Sequence, residues 1–115
     1  MRRLLLALLF PLPALALSSA AQEFMEISAQ LEPVQCEKRQ LRRQMALAQA
    51  ENRADEMKKL RARFAQINRD KQTVRLERRL AVLKARILDS RGHARNPEDL
   101  EAISLQQRQA FYRCD

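Results

Sequence analysis

Glycine occurs once in this sequence, at Gly92, and that scarcity argues against a β-sandwich or barrel, whose turns between strands depend on glycine. It also removes the glycine-rich loops that cradle phosphates or dinucleotides, and no G-x-S-x-G, H-E-x-x-H or P-loop pattern occurs. Histidine is equally scarce. His93 stands alone, without a nearby cysteine or acid cluster, so no metal site is expected and no cofactor is implied. Tryptophan is absent and the aromatics are four Phe and one Tyr, too few to stack on single-stranded nucleic acid. The acid pairs Asp55-Glu56 and Glu98-Asp99 each stand at an expected helix start. Capping and the helix dipole explain them better than acid–base chemistry. No catalytic residue is expected, and the chain does not read as an enzyme.

The abundant residues are Ala, Leu, Arg, Gln, Glu and Lys, all good helix formers. Export is read from the first 21 residues. Met1-Arg2-Arg3 is a short positive segment, Leu4 to Leu17 is an apolar run broken only by Pro11 and Pro13, and Ser18-Ser19-Ala20-Ala21 supplies small residues. Residues 1–21 are therefore expected to be a cleavable signal peptide, with cleavage before Gln22. The apolar run would span only about 21 Å as a helix against a bilayer core of about 30 Å, so it is not expected to remain as an anchor. No transmembrane segment is expected after cleavage, and the compartment expected is the periplasm.

Residues 22–35 read as a mildly acidic lead-in ending near Pro33, and residues 36–115 as the helical domain. Between Glu37 and Arg91 there is neither Gly nor Pro. Met57, Leu60, Phe64 and Ile67 form one stripe at helical spacing, and Leu76, Leu80, Leu83 and Ile87 form a second. The stripes are out of phase, which predicts a bend or turn near Asn68-Arg69-Asp70. A clearer break covers residues 91–95. Asn96 then reads as an N-cap, with Pro97 at the first helical position and Glu98 and Asp99 in the first turn. Leu100, Ile103, Ala110 and Cys114 are expected on one side of the helix that follows. Asn52-Arg53-Ala54-Asp55 is a weaker cap, and local propensity alone favours one helix over 37–67.

Cys36 and Cys114 bracket the helical region, and in an oxidising compartment an isolated pair is expected to bond. An intramolecular bridge needs Cα atoms within about 7 Å. One long helix over 37–67 followed by two zigzagging helices would leave the cysteines roughly 40 Å apart. Reversals at 51–53, 68–71 and 91–96 would give four antiparallel segments whose outer ends meet. The expected fold is thus all-α, antiparallel hairpins or a small four-segment bundle with its ends joined by a disulfide. A bond between two chains would satisfy the same chemistry, and the oligomeric state stays open.

Cys36, Ala48-Gln49-Ala50-Glu51-Asn52 and Leu60, following a secretory start, resemble the YqjC-like family of small periplasmic proteins of unknown function. The likeness extends loosely over residues 36–110. The family usually has Gly-Asn where this chain has Glu51-Asn52, and its second cysteine falls near Gln72 rather than at 114. Its disulfide therefore does not carry over, and the resemblance implies no site.

Charge is the remaining signal. Residues 36–95 carry 18 Lys or Arg against 7 acids, while 22–35 and 96–115 are net acidic. Arg39, Arg42, Arg43, Lys58, Lys59, Arg61, Arg63, Arg75, Arg78 and Arg79 recur between the apolar stripes. A solvated helix face is one reading, and an anion-binding face the other. The partners expected in that compartment are a protein client, in a chaperone-like role, or an envelope polyanion such as lipopolysaccharide or anionic lipid. An accessory role in an envelope complex is a further alternative, and no nucleic acid is expected.

Overall fold

The computed structural model describes residues 17–114, so the apolar run as far as Ala16 lies outside the described residues. Four helices follow: α1 (Ser19–Ala50), α2 (Ala54–Arg69), α3 (Lys71–Ile87) and α4 (Pro97–Arg113). Ser18 caps α1, its hydroxyl accepting the amide of Ala21 at 3.1 Å. The helix then runs without interruption through Pro33. The expectation of a separate lead-in over 22–35 is therefore corrected, because that stretch is the first half of a 32-residue helix. Proline inside a helix costs about 3 kcal/mol by removing an amide and crowding the carbonyl four residues back. Here Pro33 and Ala29 are both exposed, so the gap in the hydrogen-bond ladder lies on the outer side of the helix. Ile27 and Leu31 pack on Leu83, and Ala21 packs on Ile87 and Ile103. Burial of those side chains, worth about 1.5–3 kcal/mol for each large one, offsets the proline.

At the top of α1 the chain reverses. Asn52 takes φ 56°, a left-handed conformation that Asn tolerates better than most residues, and the Arg53 amide donates to the Ala48 carbonyl at 2.8 Å. Residues 37–67 thus belong to two helices, as closure by the cysteines required. The expected stripe of Met57, Leu60, Phe64 and Ile67 packs on Leu41, Met45, Ala48 and Val34.

The all-α fold closed by the disulfide is as expected, but the break at Asp70 is a bend and not the reversal expected at 68–71. Along α3, Glu77 meets Gln35 and Lys38, Leu83 packs with Ile27 and Leu31, and Ile87 packs with Ala21. Numbers rise along α3 as they fall along α1, so α2 and α3 follow one another down the same helix. The only residue outside both helices is Asp70, with φ −61° and ψ 125°. One extended residue is too short to turn the chain back. It does rotate the second stripe so that both out-of-phase stripes face α1. Asp70 also caps α3, its carboxylate accepting the Thr73 amide and hydroxyl at 3.0 Å each.

Residues 88–96 make the second reversal. Gly92 stands where φ is +82°, and the Asp89 carboxylate accepts the amides of Arg91 and His93, each at 2.9 Å. Asn96 caps α4 through its side-chain oxygen on the Glu98 amide, with Pro97 beginning the helix. The new helix lies parallel to the first half of α1. Ser18 meets Asp99, Met25 meets Gln106 and Glu32 meets Arg113, each pair 81 positions apart. Seven residues separate successive contacts on both helices, close to two turns. Leu100, expected to face inward, is exposed, and the buried neighbour is Asp99. The disulfide Cys36–Cys114, with Cα atoms 5.4 Å apart, fastens the end of α4 to the middle of α1. The lower half is therefore a three-helix bundle, and the upper half a two-helix arm.

Candidate anion-binding surface

The ten basic residues singled out from the sequence do not act alike. Arg63 makes a bidentate pair with Glu37, at 2.6 and 2.9 Å, and Arg79 does the same with Glu23, at 2.6 and 2.7 Å. These two cations are neutralised by carboxylates 26 and 56 positions away in the chain. Arg39 stacks over the Phe111 ring at 4.7 Å, and Arg42 over Phe64 at 5.4 Å. Stacking engages the faces of a guanidinium and leaves its N–H edge to other partners. Arg43, Lys58, Lys59, Arg61, Arg75 and Arg78 are exposed, and none has a carboxylate partner among the described residues.

The bend at Asp70 concentrates part of this charge. Arg69, Lys71, Arg75 and Arg78, with half-buried Val74, line a shallow cleft of about 490 Å³. All four cations are exposed, and no acidic residue lines the cleft. Sequence reasoning named Arg75 and Arg78 and missed Arg69 and Lys71. Their signal lay in the break itself, since they flank Asp70, and in the 71-75-78 spacing, which is helical. Lys58, Lys59 and Arg61 are also exposed, farther up the arm on α2. A cluster of cations such as that at the bend attracts and orients polyanions.

A second cleft, of about 410 Å³, opens beside the disulfide where α1, α3 and α4 meet. Phe24, Leu31 and Leu80 form its apolar wall, and Gln106, Phe111 and Cys114 its α4 side. Also on α4, Phe111 and Tyr112 are exposed, the latter 76 %, with Leu100 and Leu105 exposed farther down. Asn96 and Pro97 act at the start of α4, and Cys36 and Cys114 in the disulfide, so none of these four is free for other chemistry. His93 is exposed in the loop, and no group of three or more His, Cys, Asp or Glu among the described residues is placed to hold a metal. No helix among them is long and apolar enough to cross a membrane. Comparison with known protein families, with curated proteins and with solved structures finds no match to this chain.

Three bidentate ion pairs tie the helices together, Glu23 with Arg79, Glu32 with Arg113 and Glu37 with Arg63. Hydrogen bonds from Arg79, Arg113 and Arg63 hold Glu23, Glu32 and Glu37 respectively below the usual carboxylate range. The Thr73 amide does the same to Asp70, and the His93 amide to Asp89. A carboxyl whose pKa is depressed on folding adds stability above its unfolded value, and that stability is lost as pH falls through the folded value. Unfolded values lie near 4. The melting temperature is therefore expected to stay level from pH 8 to about 5 and to fall below about pH 4.5. Thermal melts by circular dichroism check this, and a level curve down to pH 3 would deny these pairs a stabilising role.

Proposed function

We propose that the chain is a non-enzymatic, exported helical interaction protein of the bacterial envelope, docking through the flank of α2 and α3 onto phosphate-bearing polyanions. The observation that carries this reading is the cleft at the α2–α3 bend, lined by Arg69, Lys71, Arg75 and Arg78 with no acid. Export rests on the residues of the N-terminal segment, and a disulfide is compatible with an oxidising compartment. Lipopolysaccharide and anionic phospholipid both present phosphate there. Vesicles of phosphatidylglycerol should retain the protein at low salt and release it steeply as salt rises, whereas phosphatidylcholine vesicles should not bind it. Lipopolysaccharide competes in the same assay. Absent or salt-insensitive binding would remove the proposal. The YqjC-like resemblance fits a small periplasmic protein but names no ligand.

A client-binding, chaperone-like role is the second reading. It is supported by the apolar cleft beside the disulfide and by Leu100, Leu105, Phe111 and Tyr112, exposed along α4. In that case a modest molar excess of protein should suppress aggregation of a heated client, and Phe111→Ser with Tyr112→Ser should abolish the effect.

A further inference from the structure

We propose that export processing cuts the Ala16–Leu17 bond, so that the exported chain begins at Leu17 and not at Gln22. This rests on the exported reading above. Residues Leu17 to Ala21, which cleavage before Gln22 would discard, are built into the bundle. The Ser18 amide donates to one oxygen of Asp99 at 2.9 Å, and the Ser18 hydroxyl donates to the other at 2.6 Å. The same hydroxyl accepts the Ala21 amide at 3.1 Å, and the Ser18 carbonyl accepts the Gln22 amide at 3.0 Å, opening α1. Leu17 is held as well, its carbonyl accepting the Gln22 side-chain amide at 3.3 Å.

The partner of Ser18 is no surface carboxylate. Asp99 is 2 % exposed, and its third side-chain hydrogen bond comes from the Asn96 amide at 3.2 Å. Losing Ser18 would leave a buried acid with one of three partners, a costly state for a charged group. Ala21 is 0 % exposed against Ile87 and Ile103, and Ala20 packs against both lower clusters. A cut before Gln22 would take away the cap, the first turn and the side chains that close the foot of the bundle.

The sequence offers another bond. Ala14-Leu15-Ala16 satisfies the small-x-small rule with alanine at both positions, directly before Leu17. Met1-Arg2-Arg3 then serves as the charged segment and Leu4 to Phe10 as the apolar one, with Pro11 and Pro13 between it and the scissile bond. The peptide removed lies at the short end of the range for such signals, about 15–30 residues. Hydrolysis adds water across the amide under the cell's signal peptidase, leaving a carboxylate on Ala16 and an ammonium on Leu17.

Intact, non-reducing mass spectrometry of the protein recovered from the envelope of a bacterium expressing the full gene separates the outcomes. A chain of Leu17 to Asp115 is expected. A chain beginning at Gln22, or anywhere after Ser18, overturns this inference and leaves export standing. A chain still carrying Met1-Arg2-Arg3 overturns both. Encoding Ser18→Ala in the full gene supplies a second readout. If Ser18 is retained, the exported protein should melt about 5 °C or more lower, from loss of the cap and of one bond to Asp99. An unchanged melting temperature overturns the inference, since a discarded residue has no effect on the protein that remains.

Discussion

Replacing both Cys36 and Cys114 with serine is expected to remove about 4.5 kcal/mol of stability and to lower the melting temperature by more than about 15 °C. The bond spans 78 positions, and the entropy it removes from the unfolded chain grows with the length of the closed loop. The position of the bond adds a second consequence. α4 is tied to α1 by three contacts in register, at Asp99, Gln106 and Arg113, and its buried apolar contribution is Ile103 and Cys114. The uppermost tie, Arg113 to Glu32, is an exposed ion pair of small net value. Without the disulfide α4 should therefore detach first, from its Cys114 end. Hydrogen exchange would report this as faster exchange of amides 105–113 while amides of the α1–α2 arm keep their protection. A loss below about 1 kcal/mol would mean that α4 docks without the covalent tie, contrary to the chain-entropy account.

Much of this architecture was legible because local signals and tertiary packing agree. Met57, Leu60, Phe64 and Ile67 form a stripe in the sequence and one wall of a core in the structure. Asn96-Pro97 reads as a helix start and is one. Where the two levels disagree, local punctuation misleads at Pro33 and at Asp70. Pro33 suggested an end to structure, but Ile27 and Leu31 find Leu83 only after the chain has folded back. The break at Asp70 suggested a reversal, yet a phase shift between stripes is equally relieved by one extended residue, and sequence periodicity does not distinguish the two. Charge was the least legible. Nothing near Arg63 or Arg79 marks them as neutralised, because Glu37 and Glu23 reach them across helices. Arg69 and Lys71 drew no notice because their significance comes from the cleft the bend creates.

Neutralising that cleft should have the largest functional effect. Changing Arg69, Lys71, Arg75 and Arg78 to glutamine together is expected to weaken binding to phosphatidylglycerol vesicles by about 10³-fold at low salt. A basic side chain near an anionic surface is worth about 1 kcal/mol, and about 4 kcal/mol corresponds to three decades of affinity. The salt dependence should flatten together with the affinity, since fewer counterions are exchanged. Folding should be little affected, because all four side chains are exposed and none has a carboxylate partner among the described residues. The whole chain is formally +8, so a loss of four charges anywhere would weaken attraction to an anionic surface to some degree. The comparison that isolates the cleft is therefore Arg43, Arg91, Arg95 and Arg108 changed to glutamine, four exposed cations spread over α1, the 88–96 loop and α4. The net charge falls by the same amount, but no concentrated row is lost, and the expected weakening is under about 10-fold at the same salt. Equal losses from the two sets would make net charge the whole explanation and leave the α2–α3 bend with a purely structural role. Unequal losses in the expected order would mean that attraction depends on where one extended residue, Asp70, makes the basic ends of two helices converge.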